Sequence, residues 1–245
     1  MRASFAFTIA AFIMVNAMWA QQTPANKPSR SDLISRLRSD NVQVRSEAFE
    51  SVRTDSEVLR DPKVRVALVD LLDRENHETP SVSGENEGYA EYTSWLADTV
   101  AKIVDWSSQR QVCILADSAV PPNELADHAK VAVPCLLQRY KSAQNLDRGY
   151  VVAMLVQALA KGKGELDALT VAKVQEAILA GLHDPDHGIR GETIRALGKF
   201  GGEDMIPALR ASADAETSDD AGSRSIRKRT LKAITEIEKR AGKTQ

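Results

Sequence analysis

The sequence predicts an all-α protein, a short superhelical stack of helix pairs. Three observations carry that expectation. A loop–helix phrase, Asp184-Pro-Asp-His-Gly-Ile189-Arg190 running on to Phe200, returns in looser form around Arg45, Arg148 and Arg227. The spacing is regular: 42 residues separate Arg148 from Arg190 and 37 separate Arg190 from Arg227, periods of about 40 that mark two helices per unit. Apolar residues recur at helical spacing along most of the body. A helix pair leaves one apolar face that it cannot bury alone, and stacking the next pair covers it.

Taken in order, Ser31 is a candidate N-cap for a first short helix with Leu33, Ile34 and Leu37 on one ridge. A second helix is expected over 42–54, with Val44, Phe49 and Val52 inward. Asp61-Pro62 opens a third, because proline in a first turn removes a donor that would have had no partner. Residues 76–88 read as a loop. Tyr89, Tyr92, Trp95, Leu96, Val100 and Ile103 then fall at helical spacing. The stretch 105–124 is the least regular, readable as a short helix or an extended insertion. Helix resumes over 125–142, where Pro134 is expected to bend or restart it. The later helices are expected at 147–160, 169–182, 187–200, 203–213 and 223–241. Arg45 to Arg148 is 103 residues, room for one intermediate unit and two insertions.

The phrase 184–201, followed by Ile206-Pro207-Ala208-Leu209, resembles the HEAT repeat family, including its short bacterial HEAT-like variants. The resemblance is good for 184–209, moderate for 145–182 and 223–240, and loose before residue 120. It implies a right-handed α-α superhelix of the armadillo type over 31–241. It also implies that the aspartate and arginine of the phrase interact across the turn and between neighbours. By that match Asp184 and Arg190 take those roles, with Arg148, Arg45 and Arg227 as weaker counterparts. Most proteins of this kind are binding scaffolds, and the resemblance carries over no catalytic residue. Independently of it, an arginine at a first helical turn can lay its stem along the next unit and offer its fork to loop carbonyls.

Residues 1–20 read as a secretory signal. Arg2 precedes the apolar run Phe5–Val15, with cleavage after Ala17 or Ala20. That run is short for a membrane anchor, since a crossing needs about 20 residues. Residues 21–30 are polar, contain two prolines and read as a flexible linker. The expectation is a periplasmic or extracellular product with no stable membrane span after cleavage. There are 32 basic and 34 acidic side chains, a balance that argues against a nucleic-acid partner. The last helix is locally basic and faces an acidic loop at Asp214, Glu216, Asp219 and Asp220. The two cysteines, Cys113 and Cys135, form either a disulfide, permitted by export, or two buried thiols.

The chemistry-bearing motifs are sparse. His183-Asp-Pro-Asp-His187 holds metal-capable side chains, but its aspartates equally suit helix capping, and no metal or other cofactor is expected. No nucleophile elbow, phosphate loop or dinucleotide fingerprint occurs. Tyr89, Tyr92, Trp95 and Trp106 crowd one window of a chain with 5% aromatic residues. They read as core packing or as a surface for a peptide or glycan. The sequence thus favours a non-enzymatic scaffold for a protein or peptide partner. The competing reading is an enzyme or accessory domain acting on cell-envelope material, with the aromatic segment as its cleft.

Overall fold

Polar caps set most helix starts in the computed structural model, which describes residues 29–78, 86–118, 121–143 and 145–242. The expected signal, nearly all of the linker and most of the 76–88 loop lie outside these residues. Helix α1 (Arg30–Leu37) begins earlier than Ser31 suggests, because Ser29 accepts the Asp32 amide. Asn41 caps α2 (Val42–Glu50), and Asp61 caps α3 (Pro62–His77) with Pro62 in its first turn. Helix α2 stops short of residue 54; turns and a short 3-10 segment, Val58–Arg60, lead into α3. Helix α4 (Asn86–Ala101) carries three of the four aromatic residues.

The irregular stretch resolves into α5 (Gln109–Ala116), capped by Ser108, and a 3-10 segment, Asn123–His128. Helix α6 (Ala129–Ser142) contains Pro134 and is continuous through it, contrary to the expected restart. The reason lies in position: the 3-10 segment ends at His128, so Pro134 stands in the second helical turn and forfeits one donor, to residue 130. Val133, Cys135 and Leu136 around it are buried and hold the helix by packing. Helices α7 (Asn145–Gly162), α8 (Ala168–Leu182), α9 (His187–Phe200), α10 (Ile206–Ala215) and α11 (Ala221–Ala241) complete the chain. Asp167, Asp186 and Asp220 cap α8, α9 and α11.

The described residues thus form an all-α helical repeat superhelix with no strand among them. In the C-terminal half two rows of helices are evident. Helix α9 packs broadly against both α7 and α11, and α8 lies against α6 and touches α10. The α7–α9–α11 row is the tighter of the two. Small residues permit that: a Cβ on Gly198 would lie 3.1 Å from the Ala233 Cβ and 2.9 Å from Glu236 Oε2. Ile194 and Leu197 of α9 are buried in this interior together with Ile226 and Ile234 of α11, and each such side chain contributes about 1.5–3 kcal/mol of burial free energy. In the N-terminal half α1 packs on α2 and α3, α3 on α4 and α5, and α5 passes the core on to α6.

Candidate functional site

The geometry of the repeat arginines decides whether they are free to meet a ligand. Arg45, at the first turn of α2, is fully buried. Its Nη1 donates to the carbonyls of Ser39 and Asp40, both at 3.0 Å, and its Nε to Glu75 Oε1 at 2.7 Å. Its Nη2 also pairs with Glu78. Burial disfavours the guanidinium charge, but the hydrogen bond and charge of Glu75, then those of Glu78, outweigh it and hold the pKa above its ordinary value. Arg190 repeats the pattern: Nη1 donates to the carbonyls of Asp184 and Pro185 at 2.6 and 3.0 Å. Its Nε lies 2.8 Å from Glu216 Oε1, with the N–H off the line to that oxygen, so the contact is an ion pair rather than a hydrogen bond.

Arg148 donates to the Ala143 carbonyl at 3.3 Å and to Asp184 Oδ2 at 3.1 Å, joining one unit to the next. Asp184 is buried, and its other oxygen accepts the Asp186 amide at 3.0 Å. Arg190 therefore meets Asp184 through the backbone carbonyl, while the Asp184 carboxylate serves the neighbouring unit. Arg227 is the outlying copy, donating to the Ser218 carbonyl at 3.3 Å beside Asp219. These arginines bind loops and neighbouring units.

A second set of arginines closes helix ends and carries no repeat signature. Arg74 donates to the carbonyls of Arg38 and Ser39 after α1. Arg139 donates to those of Ala116 and Ser118 at the end of α5, and Arg240 to those of Gly198 and Gly201 at the end of α9. Each fork supplies donors to carbonyls at or just beyond a helix end, where intrahelical partners run out. Burial pulls the Arg139 guanidinium below its ordinary pKa, against the charges of Asp117 and Asp147. Glu75 and Arg139 could have been noticed in the sequence. Each continues an apolar stripe, Leu68–Leu71–Leu72 in one case and Ala132–Cys135–Leu136 in the other.

The four aromatic residues do not form one surface. Tyr92 is buried, and its hydroxyl donates to Glu75 Oε1 at 3.2 Å. Tyr89 donates to Glu75 Oε2 at 2.7 Å, and its ring is tilted against Tyr92 with centroids 6.0 Å apart. Phe49 of α2 meets Tyr92 edge-on at 5.7 Å. Burial, then the hydrogen bond and charge of Glu75, push the Tyr89 phenol far above its ordinary range; for Tyr92 burial again leads, followed by the charge and hydrogen bond of Glu75. Both tyrosines thus belong to an inward network around Glu75. Trp95 is 36% exposed beneath the Arg53 guanidinium, 4.4 Å from the ring centroid. Trp106 stacks on the His128 ring at 3.9 Å. A shared aromatic cleft is therefore not what these residues build.

Cys113 of α5 and Cys135 of α6 are joined by a disulfide, with Gln109 Nε2 2.8 Å from the Cys135 sulfur. In the His183–His187 run, Asp186 caps α9 and Asp184 serves Arg148. Among the described residues no group of three or more histidine, cysteine or carboxylate side chains is placed to hold a metal.

Two large open grooves lie among the described residues. One of about 810 Å³ lies between α6 and α8, lined by Pro134, Leu137, Tyr140, Lys141, Lys173 and Glu176 among others. The other, about 790 Å³, lies between α9 and α11, with Ile194, Gly198 and Ala233 in its lining. Both lie open between stacked helices, and their linings are rich in charged side chains.

Residues 133–227, from within α6 to within α11, match the family model for HEAT repeats. That match and the all-helical stack fit a HEAT-like repeat protein. No curated protein and no solved structure matches the chain. Among the described residues no helix is long and apolar enough to cross a membrane.

Proposed function

We propose that the chain is a non-enzymatic scaffold that binds a protein or peptide along its helix grooves, and that it works outside the cytoplasmic membrane. HEAT repeats point to protein interaction. The single observation that carries the reading here is the division of labour among the charged side chains. The repeat arginines are engaged with loop carbonyls and buried carboxylates, while exposed lysines and arginines line an open groove between stacked helices. Placement outside the membrane is supported by the signal-like residues 1–20 and by the disulfide, which persists in oxidising compartments.

The test is affinity capture from cell-envelope extracts with the purified protein as bait, beside a cytoplasmic extract of equal protein content. The reading expects a defined partner enriched from the envelope extract. Enrichment of nothing over an unrelated helical bait would count against it.

A further inference from the structure

Helix α8 presents an outer face unlike the rest of the stack. It has 15 residues, of which only Lys173 and Glu176 are charged. Val174, Ala177, Ile178, Gly181 and Leu182 are buried on its inner side. The opposite side exposes Leu169 at 65% and Leu179 at 42%, together with Ala168, Ala172 and Ala180. The other exposed large apolar side chains among the described residues, Val42, Val66, Trp95, Tyr150 and Leu231, stand one to a helix, so α8 alone carries two. A single exposed leucine is ordinary, but the solvent side of a surface helix is usually polar along its length. The open groove beside α6 borders this face at Lys173, Glu176 and Ala180, so α8 is not covered from that side.

The two charges decide what can cover the face. Both are exposed, and neither forms an ion pair among the described residues. They lie near the helix midpoint, one of each sign, with an exposed leucine toward either end. When two α8 helices lie antiparallel about a twofold axis between residues 174 and 175, Lys173 of each copy comes opposite Glu176 of the other. In that register Leu169 falls opposite Ala180 of the second copy and within one residue of its Leu179. The face is thus complementary to itself, as a twofold contact requires, and its alanines allow the helix axes to approach to the usual distance of about 8–10 Å. A parallel pairing would set lysine against lysine. A bilayer fits less well, because interfacial helices are rich in Lys and Arg beside their apolar side, whereas this face holds one cation and one carboxylate.

We propose that α8 is a self-association face, through which two copies of the chain pair antiparallel about a twofold axis. Lys173 and Glu176 set the register, and Leu169, Leu179 and the alanines supply the apolar contact. From Ala168 to Ala180 the face is about 18 Å long and about 10 Å wide. That is well below the roughly 800 Å² per partner of a standard interface, so pairing is weak and appears at concentrations on the order of 100 µM.

The test is sedimentation velocity of the purified protein across a concentration series that spans this value. The proposal expects a shift from monomer to dimer as the concentration rises. Lys173→Glu and Glu176→Lys, each alone, place like charges across the axis and should each weaken pairing at least about tenfold. An equimolar mixture of these two variants should pair more tightly than either does alone, and the double variant Lys173→Glu/Glu176→Lys should recover the pairing. Leu169→Ser/Leu179→Ser should abolish it with unchanged far-ultraviolet circular dichroism, whereas Leu231→Ser, at an exposed leucine of α11, should leave it unchanged. A monomer throughout the series, single charge variants that pair as well as the parent, or a double charge variant that pairs no better than the single ones would overturn the proposal. Binding to vesicles containing an anionic lipid, lost in Leu169→Ser/Leu179→Ser and seen without self-association, would assign the face to a membrane and overturn it equally. The scaffold reading does not depend on this face and stands or falls by the envelope capture.

Discussion

At the scale of single residues, Arg45 and Glu75 form the buried ionic centre of the N-terminal half, with side chains 1% and 0% exposed. A buried pair is a weak net stabiliser, but removing one partner strands the other charge and costs about 3–5 kcal/mol. Arg45→Met should therefore lower the urea midpoint sharply, and adding Glu75→Leu should restore much of the loss; a single variant as stable as the parent would refute the assigned geometry. The tyrosines on Glu75 add a pH signature. Both phenols are raised above the ordinary value of 10.0, so above that pH the unfolded chain releases protons that the folded chain retains. The stabilisation is fully present below pH 10 and falls as the pH rises beyond it. Denaturant titrations from pH 8 to 11 should show this decline, and Tyr89→Phe/Tyr92→Phe should flatten it. The arginines were legible as a recurring offset from the apolar stripe. Their partners were not, because Glu75 lies 30 residues from Arg45, and Asp184 36 from Arg148.

At the scale of elements, caps and stripes made most helices readable, since Asn41, Asp61, Asp167, Asp186 and Asp220 advertise starts by local hydrogen bonding. The stretch 105–124 was obscure for a physical reason. Helix α5 has eight residues, too short to declare a period, and its attachment to α6 is covalent. Closing the 22-residue separation between Cys113 and Cys135 should contribute about 3 kcal/mol by the loop-entropy model. Reduction, or Cys113→Ser/Cys135→Ser, is expected to lower the melting temperature while leaving most helicity in place; an unchanged melting temperature would show that α5 packing alone suffices. The aromatic window divides between the core and surface readings that the sequence allows. Composition brought Tyr89, Tyr92, Trp95 and Trp106 together in sequence, whereas the α4 periodicity turns Tyr92 inward and leaves Trp95 at the surface.

At the scale of the whole molecule, a stack of this kind couples each unit mainly to its neighbours. The forks of Arg148, Arg190 and Arg240 are the polar complement of that coupling, spanning 36, 26 and 42 residues respectively. On the scaffold reading proposed above, those arginines are engaged in stacking and recognition falls to the open grooves, among them the one between α9 and α11 that exposed lysines line. The most direct measurement of this account is site-specific photocrosslinking of the purified protein in envelope extract. A crosslinker is placed in turn at Lys199, at Lys239 and at the 44% exposed Val42 on α2. The account predicts the same discrete protein adduct from Lys199 and Lys239 and none from Val42. Adducts from Val42 alone, or none at any position, would contradict it.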